Sequence, residues 1–303
     1  MKVAALIGPT ASGKSALALE IARNKGLWIF SIDSLAVYRH IDIVSAKPTA
    51  KEREGIRHFG IDELELPEPF HAGKLLSLYH QAQEEARQAG KGLLIVGGSS
   101  FYLKALIDGL SEGFVISDEA SAKVRRLLGD LEAARELLAK VDPILAQRIL
   151  PADRFRLGKA LGYWLTYGRP LSEYYAKNPP VAQCDEIAIF HLCVDRSWLR
   201  ERIALRTHQM IKAGAIDEVA WLEARYGRAP HAMKAIGIRE ILAYFDGEIK
   251  RDDLEGLITL HTAQLAKRQE TFNRGQFRSI ESGSADRLRI ALSSFYDEEV
   301  RID

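Results

Sequence analysis

Short runs of apolar residues recur along the chain, and each is followed by a glycine-rich or polar segment. Three of these runs lie at residues 3–7, 28–30 and 93–96. Uninterrupted apolar runs of this length are typical of strands that are buried on both faces of a parallel sheet. The segment 15–26 after the first run is rich in alanine and leucine and stops at a glycine, which predicts a helix. This alternation predicts an α/β fold with a parallel sheet.

The pattern changes in the middle of the chain. Between residues 118 and 166 the apolar positions recur at spacings of three and four, and no strand pattern interrupts them. The apolar run at 186–195 then predicts a strand that returns to the sheet. We therefore expect a core formed by residues 1–113 and 183–303, with residues 114–182 forming a helical insertion domain.

Composition narrows the class of protein. The 303 residues are 47% hydrophobic and 27% charged, as in an ordinary globular protein. Because 42 basic residues balance 41 acidic ones, a purely electrostatic nucleic-acid binder is not expected, although a local basic groove is compatible with this balance. Cys184 and Cys193 lack metal-ligand spacing, and the apolar start is too short for a signal peptide or a membrane span. We expect a reduced, cytoplasmic protein without a membrane partner.

The strongest motif lies between the first strand and the first helix. Residues 8–15 read GPTASGKS, which is the spacing of a phosphate-binding loop (P-loop). Such a loop directs backbone N–H groups and a helix N-terminus at a phosphate, with a lysine beside them. The predicted phosphate-binding residues are Gly8, Pro9, Thr10, Ala11, Ser12, Gly13, Lys14 and Ser15.

Polar side chains follow two further predicted strands. Asp33 and Ser34 come just after the second one, where ligands bind in open parallel sheets, although either residue is equally suited to cap a helix. The third strand ends in Gly97, Gly98 and Ser99. A nucleotide hydrolase usually has a metal-binding aspartate at such a strand end. Its absence from the sequence here argues against nucleotide hydrolysis.

Basic residues cluster in three stretches that are predicted to be helical. Residues 146–170 contain five basic residues against one acidic residue, with aromatic residues among them. An RNA-binding face is one interpretation, and a helix that packs its aromatic residues inward is the favoured one. Residues 261–278 carry Lys267, Arg268, Arg274 and Arg278 against Glu270. Four arginines at 196–206 follow the returning strand, and one that reaches the P-loop would bind a diphosphate well.

Taken together and in order, these motifs resemble the tRNA dimethylallyltransferase family. The resemblance rests on GPTASGKS, DSLAVYRHIDIVSAKPT, HFGID, VGGSSFYLKAL, RTHQMIKAGAIDEV, AIGIRE and QLAKRQETFNR, which span nearly the whole chain. It implies a core like that of P-loop nucleoside triphosphate hydrolases, with the loop holding dimethylallyl diphosphate instead of a nucleoside triphosphate. It further implies transfer of the dimethylallyl group to N6 of the adenosine 3′ to the tRNA anticodon, with release of diphosphate.

The resemblance also implies roles for particular residues. Asp33 would be the base for the N6 amine, Ser99 would contact the reacting groups, and Arg206 would bind the diphosphate, so these three are the predicted catalytic residues. Ser15 would hold Mg²⁺, the implied cofactor. The residues implied to contact tRNA are Asp33, Ser34, Leu35, Ala36, Ser99, Lys123, Phe155, Arg156, Leu157, Gly158, Lys159, Lys267, Arg268 and Arg274.

The insertion departs from the family pattern in places. Phe155 stands where the family has glutamine, Lys159 where it has arginine, and Gly162 where it has glutamate. Two other functions compete with tRNA prenylation: a small-molecule or nucleoside kinase built on the same core, and a non-catalytic RNA-binding module. We expect a monomer, although no sequence pattern determines the oligomeric state.

Overall fold

The computed structural model describes residues 1–182, 187–277 and 279–298, so Cys184, Arg278 and the start of the strand predicted at 186–195 lie outside the described residues. The chain divides into two compact units. The first consists of Met1–Ile107 with Gln183–Asp303, and the second of Asp108–Ala182. No described helix is long and apolar enough to cross a membrane.

The first unit is built on a parallel sheet of six strands in the order β3-β2-β4-β1-β5-β6. This confirms the predicted α/β class and all four predicted strands. The two further strands, β3 and β6, are only two and three residues long. The strands are β1 (Val3–Ile7), β2 (Trp28–Ser31), β3 (His58–Phe59), β4 (Leu93–Gly97), β5 (Ala188–Leu192) and β6 (Glu281–Gly283).

Helices cover both faces of this sheet, which is why β1 and β4 are buried along their whole length. On one face, α1 and α13 pack over the strands, and on the other face α2 and α3 do so. The remaining helices form a separate apolar core with residues 37–66. The helices of this unit are α1 (Lys14–Lys25), α2 (Ala72–Gln88), α3 (Ser100–Asp108), α9 (Arg196–Lys212), α10 (Ala215–Tyr226), α11 (Ile238–Phe245), α12 (Arg251–Gln276) and α13 (Ala285–Asp297), with a 3-10 turn at His231–Lys234.

The second unit is helical. It contains α4 (Asp118–Leu127), α5 (Leu131–Val141), α6 (Pro143–Arg148), α7 (Arg154–Tyr167) and α8 (Leu171–Lys177). Tyr163 of α7 is buried against Phe114 and Tyr174, so the favoured inward packing of this aromatic residue is confirmed. Leu110 and Val181 form an isolated antiparallel bridge that brings the two ends of the unit together.

One buried amide in α12 predicts a stabilising substitution. Asn273 is fully buried, and neither side-chain atom has a hydrogen-bond partner in the described structure. Leucine has the same branching and number of heavy atoms, and it carries no polar group to desolvate. Asn273→Leu should therefore raise the free energy of unfolding by about 1–2 kcal/mol, measured by urea denaturation. An unchanged or lower free energy of unfolding would show that the Asn273 amide contributes favourably to stability in the folded protein.

Candidate active site

The P-loop connects β1 to α1 with the strand–loop–helix order that its sequence predicts. Gly13 has φ +90°, and Ala11 also lies in the left-handed region at φ +62°. Within the loop, the Ser12 N–H donates to Pro9 O at 3.3 Å. No side chain caps the N-terminus of α1. These first amides therefore face outward from the helix end as an anion-binding site.

Two cationic side chains meet at this loop. The Lys14 ammonium donates to Pro9 O at 3.2 Å. Arg206 reaches the loop from α9, and its two terminal nitrogens donate to Thr10 Oγ1 at 3.3 Å and to Ser45 O at 3.2 Å. The loop and α9 thus present a lysine and an arginine to one point, although they are far apart in the sequence.

Burial weakens the proton affinity of both cations. It lowers the pKa of Lys14 to about 8, with the charge of Asp33 opposing this shift and that of Arg206 adding to it. Burial likewise lowers the pKa of Arg206, again opposed by Asp33 and reinforced by Arg202. Two desolvated cations that repel each other are stabilised by a polyanion placed between them. The electrostatics therefore favour a highly charged anion such as a diphosphate.

Asp33 follows β2, and its two carboxylate oxygens have different hydrogen-bonding environments. Its Oδ1 accepts the N–H groups of Leu35 at 2.8 Å and Ala36 at 3.1 Å. These residues form a turn and no helix begins there, so Asp33 stabilises a turn and does not cap a helix. No hydrogen bond reaches Oδ2 from the described parts of the chain. One side chain can therefore stabilise the turn and still offer a carboxylate oxygen to a ligand.

Side chains approach the backbone closely where β4 ends. A Cβ on Gly97 would lie 2.6 Å from Ile32 Cγ1, and one on Gly98 would lie 2.5 Å from Gln269 Nε2. Ser99 follows, half-buried, and it lines the same cavity as Asp33. The Gly-Gly-Ser sequence thus places a hydroxyl, and no acid, at the end of this strand.

Two cavities meet at the P-loop. The larger has a volume of about 450 Å³ and the smaller about 80 Å³, and both are lined by Thr10, Lys14, Asp33, Ser45 and Arg206. Ser15 lines only the smaller cavity. The larger one also has an apolar and aromatic wall formed by Leu35, Tyr38, Phe70, Tyr102, Met210 and Ile258. A charged group at the junction can therefore lie beside a hydrocarbon group in the larger cavity.

Several residues of this wall escaped the sequence analysis. Tyr38 and Met210 lie within motifs that carry the family resemblance, but neither was assigned a role, and Phe70 lies outside those motifs. Burial raises the pKa of Tyr102 to about 12, and the nearby Tyr38 and Asp33 add to the shift, so its hydroxyl remains a proton donor at neutral pH. Gln269, which lies within the basic stretch 261–278, also lines this cavity.

The residues predicted to contact tRNA in the first unit differ in exposure. Ser34 is exposed, Leu35 is half-buried in the cavity wall, and Ala36 is buried. Lys267, Arg268 and Arg274 are exposed on α12, with Arg274 paired to Glu270 at 2.8 Å. Exposed cations on one helix fit contact with a phosphate backbone. Ala36 is buried, and its N–H and C=O groups are hydrogen-bonded to Asp33 and Asp62.

In the second unit the predicted segment is partly surface and partly core. The Phe155 side chain is 81% exposed, whereas Leu157 and Gly158 are buried inside the unit. Helical periodicity turns the Leu157 side chain into the packed core of this unit. Arg156 pairs with Asp153, Lys123 pairs with Glu119 at 2.7 Å, and the Lys159 ammonium lies 5.1 Å from the Phe114 ring centroid.

Comparison with known proteins identifies the family. A family model described as IPP transferase matches residues 36–276. The tRNA dimethylallyltransferase of Wolinella succinogenes is 46% identical over 289 residues, which cover 95% of this chain and 96% of that protein. The one from Sulfurovum sp. is also 46% identical, with the same coverage. The crystal structure of the full-length tRNA isopentenylpyrophosphate transferase from Bacillus halodurans has a TM-score of 0.71 and 27% identity, and covers 97% of this chain and 95% of that one. The chain therefore belongs to the IPP transferase family.

Proposed function

We propose that this protein transfers the dimethylallyl group of dimethylallyl diphosphate to N6 of the adenosine 3′ to the anticodon in tRNA and releases diphosphate. The observation that carries this proposal is the meeting of Lys14, Arg206 and Asp33 where the two cavities join. Two cations there suit a leaving diphosphate, and a carboxylate suits an amine that loses a proton. Family membership supports the same reaction.

The leaving group is stabilised by the P-loop side of the site. As the allylic C–O bond breaks, negative charge grows on the diphosphate and positive charge spreads over the allyl group. Lys14, Arg206 and the first amides of α1 are held in place before the reaction, so they stabilise this charge without reorganising. The apolar wall around Met210 excludes water from the allyl cation.

The acceptor is activated from the Asp33 side. The N6 amine is a weak nucleophile because its lone pair is conjugated with the ring. When the N6–C bond forms, one amine proton leaves, and Asp33 Oδ2 is free to accept it. Ser99 in the same cavity offers a hydroxyl to the reacting groups. The adenine has to leave its stack to reach this depth, as in other enzymes that act on bases.

The residues present fit a magnesium ion bound together with diphosphate. Ser15 and Asp33 both line the smaller cavity and offer hard oxygen ligands. Mg²⁺ in phosphate sites typically needs only one or two protein ligands, because phosphate oxygens and waters complete its shell. Ser15 would hold the ion, with Asp33 beside it. Bound there, the ion would neutralise charge on the leaving diphosphate.

The exposed basic residues provide the surface for tRNA. We assign the stem-loop contacts to Lys267, Arg268 and Arg274 on α12 and to Lys123, Phe155, Arg156 and Lys159 in the helical insertion domain (114–182). Cations contact phosphates, and an exposed phenylalanine offers a flat face to an unpaired base. Phe155 in place of glutamine thus replaces a hydrogen-bonding contact by an apolar one.

The test is a direct transfer assay. Purified protein is mixed with Mg²⁺, unmodified tRNA and dimethylallyl diphosphate labelled in the allyl group, and the digested tRNA is examined for labelled adenosine. We expect label on the adenosine 3′ to the anticodon, with one diphosphate released per transfer. Transfer of the terminal phosphoryl group of ATP to a small acceptor, with release of ADP and no label in tRNA, would instead identify a kinase. Binding of tRNA without either reaction would identify a binding module.

The lowered pKa of Lys14 predicts a pH dependence for diphosphate binding. A protonated Lys14 attracts diphosphate, and its pKa in the free protein is about 8. Affinity should therefore be constant with respect to this group below pH 8 and fall up to about tenfold per pH unit above it. Isothermal titration with dimethylallyl diphosphate between pH 6.5 and 9.5 measures this. Lys14→Met should bind weakly without that fall, and an equal fall in both proteins would exclude Lys14 as its cause.

A further inference from the structure

Helix α12 places one glutamine side chain directly against the P-loop. Gln269 Oε1 accepts the Thr10 N–H at 2.8 Å. Its Nε2 lies so close to Gly98 that a Cβ there would be only 2.5 Å away. The side chain is half-buried between the loop and the end of β4. Its position is thus set by contacts on two sides.

The same turn of α12 is anchored to the sheet beside the loop. Glu270 Oε2 lies 3.0 Å from Nε2 of His191, which is buried on β5. His191 is in register with Ile7, the last residue of β1 before the P-loop. Gln269 is therefore held on a helical turn that is itself fixed to the strands leading into and flanking the loop.

Thr10, whose N–H is accepted by Gln269, also contacts Arg206. Thr10 presents its N–H to Gln269 and its Oγ1 to Arg206, which donates at 3.3 Å. Fixing the main chain of Thr10 limits the directions that its hydroxyl can take, because the β-branched side chain has few accessible χ1 rotamers. The other terminal nitrogen of the guanidinium donates to Ser45 O. A continuous set of contacts thus leads from α12 through Thr10 to Arg206.

We propose that Gln269 is a positioning residue for the diphosphate. By accepting the Thr10 N–H it orients the Thr10 hydroxyl, and through that hydroxyl it holds Arg206 in the direction that meets the anion. Gln269 acts through Thr10 and does not itself bind the diphosphate. The inference rests on the proposed function in that the loop is taken to bind diphosphate.

The test uses inorganic pyrophosphate with Mg²⁺ as the probe and the full chain as the protein. Gln269→Met keeps the length of the side chain and removes both its acceptor and its donor. Isothermal titration should show a rise in Kd of about 3- to 10-fold, the range expected for one lost hydrogen bond. Gln264→Met is the matched control, because Gln264 is exposed on the same helix, and its Kd should stay unchanged. Unchanged or tighter binding by Gln269→Met would overturn the proposal.

A double-mutant cycle separates positioning from general packing. Thr10→Val removes the hydroxyl that contacts Arg206 and keeps the N–H that Gln269 accepts. In this background Gln269→Met should change Kd by less than about twofold, since the route to Arg206 is already broken. A full effect there would show that Gln269 acts elsewhere and would overturn the proposal. Wild-type protein that fails to bind pyrophosphate would contradict the proposed function as well.

Discussion

Asp33→Asn should lower the rate of dimethylallyl transfer at saturating substrates by about 10²- to 10⁴-fold, the usual contribution of a general base. Asparagine keeps an Oδ1 that can accept the N–H groups of Leu35 and Ala36, so the turn after β2 is preserved. What it removes is the ability of the other oxygen to take the amine proton. Single-turnover transfer with labelled dimethylallyl diphosphate measures the change.

Comparison with Asp33→Ala separates the chemical role from the structural one. The Asp33→Ala variant loses both the base and the oxygen that stabilises the turn. It should therefore transfer as slowly as Asp33→Asn and also be less stable by about 1 kcal/mol. Asparagine should match the wild type in thermal stability. Near-normal single-turnover transfer by Asp33→Asn would remove this residue from the chemistry and leave it only the turn.

Arg206→Ala should lower transfer by about 10²- to 10³-fold, the cost of removing one preorganised donor to a developing charge. The guanidinium has two terminal nitrogens that now contact Thr10 and Ser45, and these nitrogens match two oxygens of a diphosphate. Arg206→Lys should recover only part of the rate, because one ammonium cannot make the paired contact. Rates at saturating tRNA measure both variants.

Arg202 offers the matched control for this prediction. It lies one turn earlier on α9, it is exposed, and its guanidinium stacks 5.5 Å from the Trp198 ring centroid. Arg202→Ala removes the same charge from the same helix and should leave the transfer rate within about twofold, because exposed charges are largely screened by solvent. Equal losses in the two variants would point to the charge of α9 as a whole and away from a contact of Arg206.

The sequence predicted those parts of the site that follow from local rules. GPTASGKS between an apolar run and a helix is a pattern within one segment, and the position of Asp33 follows from the end of β2. The wall of the larger cavity had no such signal, because Tyr38, Phe70 and Met210 become neighbours only when distant segments pack. Gln269 was missed for the same reason, since its partner Thr10 lies 259 positions away.

The burial of Leu157 and the two short strands β3 and β6 were not foreseen, and the reasons are equally physical. Leu157 was carried over as part of a continuous segment, whereas on a helix neighbouring residues point in different directions. The strands β3 and β6 are too short to carry a periodic pattern, and β3 forms because His58 and Phe59 pair with β2. In both cases tertiary packing decides what a short window of sequence cannot.

The bridge between Leu110 and Val181 has a consequence for how such a chain tolerates its insertion. Because the two ends of the second unit pair with each other, the entropy of closing that long excursion is offset inside the unit itself. The insertion can therefore lengthen, shorten or change its surface without altering the strand order of the sheet. The sheet and the site at its edge can thereby stay constant while the surface of the second unit varies.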